Sequence, residues 1–144
     1  MAGKTLSDIA SKMSGIDIAI LSTKTQGGQI ANRPMSNNGD VTYDGNSYYF
    51  TFEEAHTVGD IERDPNVALG FAGEDGIFTR NGLYIAVEGR AELIRDKAAF
   101  KKHWTPDLDA WFEQGADTPN LVLIKVQARR IKYWDGMEEG DVTL

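Results

Sequence analysis

From Ile16 onward the chain is cut into short β-branched and aromatic runs by turn-forming clusters: Gln26-Gly-Gly28, Asn37-Asn-Gly39, Asp44-Gly45 and Gly73-Glu-Asp-Gly76. Runs this short with tight turns between them pair as antiparallel strands, because a parallel crossover needs a dozen or more connecting residues. The periodicity predicts strands over Ile16–Thr23, Gln29–Ser36 (continued briefly by Val41–Tyr43), Ser47–Phe52, Asn66–Ala72, Gly82–Ile94 and Asn120–Tyr133. Gly89 lies inside one of them, where glycine marks a bulge or a sharp bend of the kind barrels use at their corners. Helical spacing is confined to the margins. Thr5-Leu-Ser-Asp8 has the form of a capping box, followed by Leu6, Ile9, Ala10 and Met13 on one face and closed by Gly15. Further helices are expected over His56–Arg63, stopped by Pro65, and over Asp96–Trp104 and Pro106–Gln114. The expected class is mainly β: an antiparallel barrel, closed or partly closed, with peripheral helices. It forms one domain over residues 1–144, with an N-terminal helix within 1–15 and an acidic tail over 137–144.

Composition narrows what such a domain can do. With 41% hydrophobic and 26% charged residues the chain can build a core. Its longest apolar run, Ile18–Leu21, is too short to cross a bilayer. The start lacks an apolar signal core and there is no cysteine, which together lead to the expectation of a cytoplasmic protein. A net charge of -7 repels nucleic acid. The one basic run, Arg129-Arg130-Ile-Lys132, reads as a solvated strand, with Arg130 and Lys132 on one face and Arg129 on the other. Only His56 and His103 are available as histidines. Neither has metal-ligand spacing, and no Gly-x-Ser-x-Gly elbow accompanies them, so hydrolytic and metal chemistry are unsupported. No Gly-rich strand-to-helix fingerprint marks a Rossmann or P-loop site.

Three segments remain. Asn32-Arg-Pro-Met35 interrupts a strand with a proline, which belongs on a sheet edge, beside an arginine suited to phosphate or an electron-rich ring edge. Tyr48-Tyr-Phe-Thr-Phe52 runs towards a helix start at Ala55-His-Thr-Val58, where backbone N–H groups favour an anion. Trp104, Trp111-Phe112 and Tyr133-Trp134 carry an aromatic load that either fills a core or covers a planar ligand. Each segment alone reads first as an ordinary piece of barrel.

Their order is more specific. Ile18–Ser22, Arg33-Pro-Met35, Tyr49-Phe-Thr51, Val58-x-x-Ile61, Asp64-Pro-Asn-Val67, Val87-x-Gly-Arg-Ala91, Trp104, Trp111-Phe112, Gly115 and Tyr133-Trp134 together resemble the general stress protein 26 branch of the pyridoxamine 5′-phosphate oxidase-like flavoproteins. The resemblance spans about Leu6 to Gly136. It implies a six-stranded split barrel, a homodimer, and FMN held between the subunits. By position, Arg33, Pro34 and Met35 would line the flavin, and Phe50, Thr51 and Phe52 would form the neighbouring strand. His56, Thr57 and Val58 would face the phosphate, and Trp111 and Phe112 would cover the ring from the partner chain. One position departs from the family: Thr57 stands where a lysine of a Ser-x-Lys pattern is usual, so the phosphate contact loses its charge assistance. No residue is required as a covalent catalyst, and the chain ends soon after Trp134, so pyridoxamine 5′-phosphate oxidation itself is not expected. An oxidoreductase, a non-catalytic flavin carrier or sensor, and a barrel holding deazaflavin or haem in place of FMN all stay open.

Overall fold

The computed structural model describes residues 3–37, 41–75 and 79–144. The strands are β1 (Ile18–Lys24), β2 (Ile30–Ser36), β3 (Asn46–Phe52), β4 (Asn66–Ala72), β5 (Leu83–Ile94), β6 (Leu121–Asp135) and β7 (Glu138–Thr143). The helices are α1 (Leu6–Met13), α2 (His56–Arg63) and α3 (Lys97–His103). All pairings are antiparallel; six strands follow one path, β2-β1-β4-β5-β6-β3, and β7 is added on β6. The six expected strands are this path. Its ends, β2 and β3, are consecutive in the chain yet are not paired to each other among the described residues, so the barrel is split there.

The interior follows from strand alternation. Leu21, Phe71, Ile85, Val87, Ile124 and Ile131 point inward and are buried, each side chain contributing about 1.5–3 kcal/mol by leaving water. Ile9 and Met13 bring α1 onto the same core. The reciprocal Thr5–Asp8 capping box starts that helix as its sequence requires. A second apolar cluster joins Phe100 of α3 to Leu121 and Leu123 of β6, with Phe50, Trp104 and Phe112 packed on it.

Several expectations need correction. The residues after Gly136 are not a tail but β7, paired with β6 from Asp135↔Glu138 to Arg130↔Thr143. Gly136, at φ 60°, turns the chain, and a Cβ there would lie 2.5 Å from the Arg80 carbonyl oxygen. The acidic residues of β7 are accommodated because Arg130 and Lys132 reach across to Asp141 and Glu139. The bulge is opposite Gly89, as expected of a glycine there, but the extra residue is Arg129 on β6: Glu88 pairs with Arg130 and Gly89 with Ala128. A Cβ on Gly89 would meet the Gln127 carbonyl oxygen at 2.8 Å. The bulge also resets alternation, so Arg129 and Arg130 are both exposed instead of facing opposite ways. Val41–Tyr43 forms no strand. Pro106–Gln114 is not an α-helix but a short 3-10 turn, Pro106–Ala110, after which the chain turns into Gly115 at φ 59°. The expected turn residues Asn38, Gly39 and Gly76 lie outside the described residues.

Candidate functional site

The split between β2 and β3 opens into a cavity of about 490 Å³, bordered by α1 and by the segment following α3. That volume is in the range of small-molecule sites. Of the residues expected at a ligand site, five line it: Pro34, Met35, Phe50, Trp111 and Phe112. Pro34 fits because β2 ends the sheet path, where a missing N–H costs no ladder bond on the free side. Phe50 meets Trp104 with ring centroids 5.0 Å apart and Phe112 at 6.5 Å. Phe112 thus packs on an aromatic strand of its own chain. Phe52 joins the same group through Phe112, at 5.4 Å, just outside the cavity lining. Trp111 is 77% exposed.

The other expected residues are placed differently. Arg33 alternates away from Pro34. Its Nη1 donates to Thr23 Oγ1 at 2.7 Å and to the Leu21 carbonyl at 3.3 Å, and its Nη2 lies 3.6 Å from Asp60 Oδ2. Asp60, on α2, is 4% exposed, accepts from Thr23 Oγ1 at 2.9 Å, and pairs with Arg63 at 2.7 Å. The guanidinium expected at a ring edge is therefore engaged in a buried polar knot tying β1 and β2 to α2. His56 is exposed at the start of α2, whereas Thr57 and Val58 are buried there. Ala55 caps this helix without a side-chain hydrogen bond, and no acidic residue occupies its first turn. Thr51 is half-buried on β3.

Sequence reading passed over Tyr43 and Asn46 and set His103 aside for want of a site pattern, yet all three line the cavity. The Tyr43 hydroxyl, the Asn46 Oδ1 and the Tyr49 hydroxyl are buried and have no hydrogen-bond partner among the described residues. Burial pushes the Tyr49 hydroxyl up to about 12, partly offset by the nearby Ser47 hydroxyl, which approaches without hydrogen-bond geometry. Tyr43 is pushed upward as well, by burial first and then by Tyr49 and Asp44. The His103 imidazole stacks on Tyr48 at 3.8 Å and 17°. Burial, with Lys102 and Lys125 nearby, holds it below the ordinary imidazole value. Only the alternation of Asn46 and Tyr48 on one strand with Tyr49 on the other face hinted at this arrangement.

A sheet split between its terminal strands, with an apolar cleft at the split, defines a split-barrel protein. Residues 4–143 match the family model described as pyridoxamine 5′-phosphate oxidase like, and the chain belongs to that family. It is 30% identical over 115 residues to general stress protein 26 of Bacillus subtilis, covering 78% of this chain and 79% of that protein. A Clostridium acetobutylicum protein related to general stress protein 26 superposes with a TM-score of 0.80 at 16% identity, covering 96% of this chain and 94% of the other. A heme binding protein from Mycobacterium smegmatis shares the fold at a TM-score of 0.76 and 13% identity, covering 99% of this chain and 60% of that one. No helix among the described residues is long and apolar enough to cross a membrane.

Proposed function

We propose that this chain binds FMN in the cleft between β2 and β3 as a homodimer, and that it serves as a flavin-dependent oxidoreductase of the cytoplasm. The observation that carries the reading is the cleft itself: an aromatic-walled opening at the split, with the start of α2 following directly from the strand that forms one edge. Pro34, Met35 and Phe50 would contact the ring, with Phe52 and Thr51 continuing the strand towards the phosphate. The bare N-terminus of α2, lacking a capping side chain or a first-turn carboxylate, suits an anion. Thr57 and His56 would add hydrogen-bond donors there. The ring half fits well, while the phosphate half offers no free cation among the described residues, since Arg33 is held by Asp60. When bound, the flavin supplies hydride or electron transfer. The protein's part is to place the ring and exclude water.

A second copy is supported by the outer face of the β1–β2 pair, where Ile18, Ile20 and Ile30 are exposed beside Pro34. An exposed apolar sheet face of this kind marks an interaction surface. Trp111, exposed at the rim of its own cleft, would extend to cover a partner's ligand. Haem is less suited, because the cavity histidine lies flat on Tyr48 instead of standing free as an axial ligand.

The test is an FMN titration of the purified protein, followed by visible absorbance and flavin fluorescence. Yellow protein, or saturable binding by colourless protein, is the expected result, with sedimentation as a dimer. Thr57→Lys restores a charge at the phosphate and should tighten FMN by about tenfold, the effect of a charge-assisted bond worth about 1.4 kcal/mol more than a neutral one. A colourless protein that ignores added FMN sinks the reading. Bleaching of bound flavin by NADH or NADPH without oxygen separates an enzyme from a carrier.

A further inference from the structure

His103 is the last residue of α3, and the flavin reading leaves it unused. It lines the cavity, and its ring lies flat on Tyr48 of β3, with centroids 3.8 Å apart and planes 17° from parallel. Stacking occupies the faces of an imidazole. Its nitrogens lie in the ring plane, so they stay available at the edge. Neither makes a hydrogen bond among the described residues. The side chain is half-buried, between the aromatic cleft and water.

Charged groups from each neighbouring element surround this ring. Lys102 precedes it on α3 and also lines the cavity. Lys125 of β6 is the register partner of Tyr48, on which the ring lies. Asp44 stands in the turn before β3, and Asp107 lines the cavity from the 3-10 turn. Burial is the largest influence on the imidazole, followed by Lys102 and Lys125, with Asp44 last and opposed. The lysines therefore dominate at the ring, in a chain whose net charge is -7. Lys4, Lys12, Lys97 and Lys132 are held in ion pairs, whereas Lys102 and Lys125 are in none among the described residues. By formal count the two lysines and the two aspartates cancel, so a proton on His103 gives this end of the cleft its net positive charge. The wall beside it is Tyr48, Phe50, Trp104 and Phe112, a surface suited to a flat ring.

We propose that His103 and Lys102 bind the carboxylate of a planar aromatic acid whose ring lies on this wall, His103 holding a proton while the acid is bound. Imidazolium and ammonium groups make charge-assisted hydrogen bonds to a carboxylate, about twice as strong as neutral ones. A neutral imidazole offers one donor and no charge. Binding and protonation are thus coupled, and the coupling is reciprocal: the acid raises the proton affinity of His103 by the factor by which the proton raises affinity for the acid. A single net charge suits a monoanion. Tyr48 lies four residues before the end of β3 that leads to α2, roughly 13 Å along the strand, so this site is separate from the start of α2. The assignment stands on the cavity wall and does not require FMN to be the cofactor.

The experiment titrates ligand-free protein calorimetrically with 2-naphthoate and with 2-naphthamide, the same ring without the charge, at pH 5.5 and pH 8. Naphthoate should bind at least fivefold more tightly than the amide at pH 5.5. Its affinity should fall at least threefold by pH 8, while that of the amide stays within 1.5-fold. His103→Phe keeps a flat ring on Tyr48 and should remove the pH dependence. Lys102→Gln should weaken naphthoate at least threefold and leave the amide within twofold. Proton NMR of the parent protein follows both histidines. The titration midpoint of His103 should move to higher pH with saturating naphthoate and stay put with the amide, while exposed His56, outside the cavity lining, is unmoved by either. This reading needs no variant to fold. Equal affinity for the two probes at pH 5.5, an unmoved His103 midpoint, or pH dependence that survives in His103→Phe overturns the proposal, as does failure of both probes to bind at millimolar concentration. Protein that ignores FMN yet passes these tests loses the flavin reading and keeps this site. Protein that binds FMN and fails them keeps the flavin reading alone.

Discussion

Two buried polar groups in this barrel are finished in opposite ways. Around Asp60 every strong donor has a partner: Thr23 and Arg63 meet its two oxygens, and Arg33 is shared between Asp60, Thr23 and the Leu21 carbonyl. In the cleft wall, Tyr43, Asn46 and Tyr49 have none among the described residues. The first group joins β1, β2 and α2 and has no demand left for a ligand. The second holds unmet demand beside a cavity. A satisfied polar network helps to specify a fold, whereas an unsatisfied one costs it stability.

The largest expected effect lies in the satisfied group. Asp60→Ala leaves two guanidiniums without their carboxylate and Thr23 without its acceptor. Removing one partner of a buried ion pair costs about 3–5 kcal/mol. Arg63 is nearly half exposed, so water will recover part of that, and the low end of the range is expected in urea unfolding. Asp60→Asn keeps an acceptor for Thr23 and should cost clearly less. A loss below about 1 kcal/mol for Asp60→Ala would show that the group is solvated, and the contrast with the cleft wall would fail.

A second effect is set by pH and belongs to the unsatisfied group. The Tyr49 hydroxyl is pushed from its ordinary value near 10 up to about 12 by burial. Above pH 10 the unfolded chain loses this proton while the folded chain keeps it, so the folded state binds more protons and stability falls as pH rises. The stability linked to this group is complete below pH 10 and is lost at about 1.4 kcal/mol per pH unit up to about pH 12. Tyr49→Phe should flatten that part of the stability–pH curve relative to the parent, with the lysines titrating in both. An unchanged slope would mean that the hydroxyl is in contact with water.

Much of this architecture was legible in the sequence, for physical reasons that also explain what was not. The bounds of α2 and β4 follow from Pro65 and from clean alternation, both local signals. The split-barrel path follows because tight turns leave antiparallel pairing as the only economical connection. β7 was hidden because its residues, Glu138-Glu-Gly-Asp-Val-Thr143, have poor strand propensity, and its support comes from Arg130 and Lys132 across the sheet. The face of Arg129 was misjudged because a bulge lies on the strand opposite the glycine that signals it. At the site, Pro34, Met35, Phe50, Trp111 and Phe112 were found through motif order. Arg33 was expected at a ligand because its partner, Asp60, lies 27 residues away on a helix, and no local pattern shows that pairing. Tyr43 and Asn46 were missed for the same reason in reverse: a buried hydroxyl without a partner leaves no mark on spacing.

The smallest effect discriminates best between the two groups, because it predicts a change of sign. Thr23→Val is nearly isosteric and removes one hydroxyl from the satisfied set, leaving Arg33 and Asp60 each short of a bond. It should destabilise by about 1–2 kcal/mol at pH 7. Tyr49→Phe and Tyr43→Phe also remove one hydroxyl each, from a buried and a half-buried side chain, but those hydroxyls have no partner among the described residues to strand. Their loss should leave the ligand-free protein unchanged or raise its stability by up to about 1 kcal/mol, since an unmet buried group is deleted. All three variants can be compared in one set of thermal and urea melts. If the tyrosine variants are destabilised as much as Thr23→Val, their hydroxyls have structural partners in solution, and the unmet demand in the cleft wall is absent.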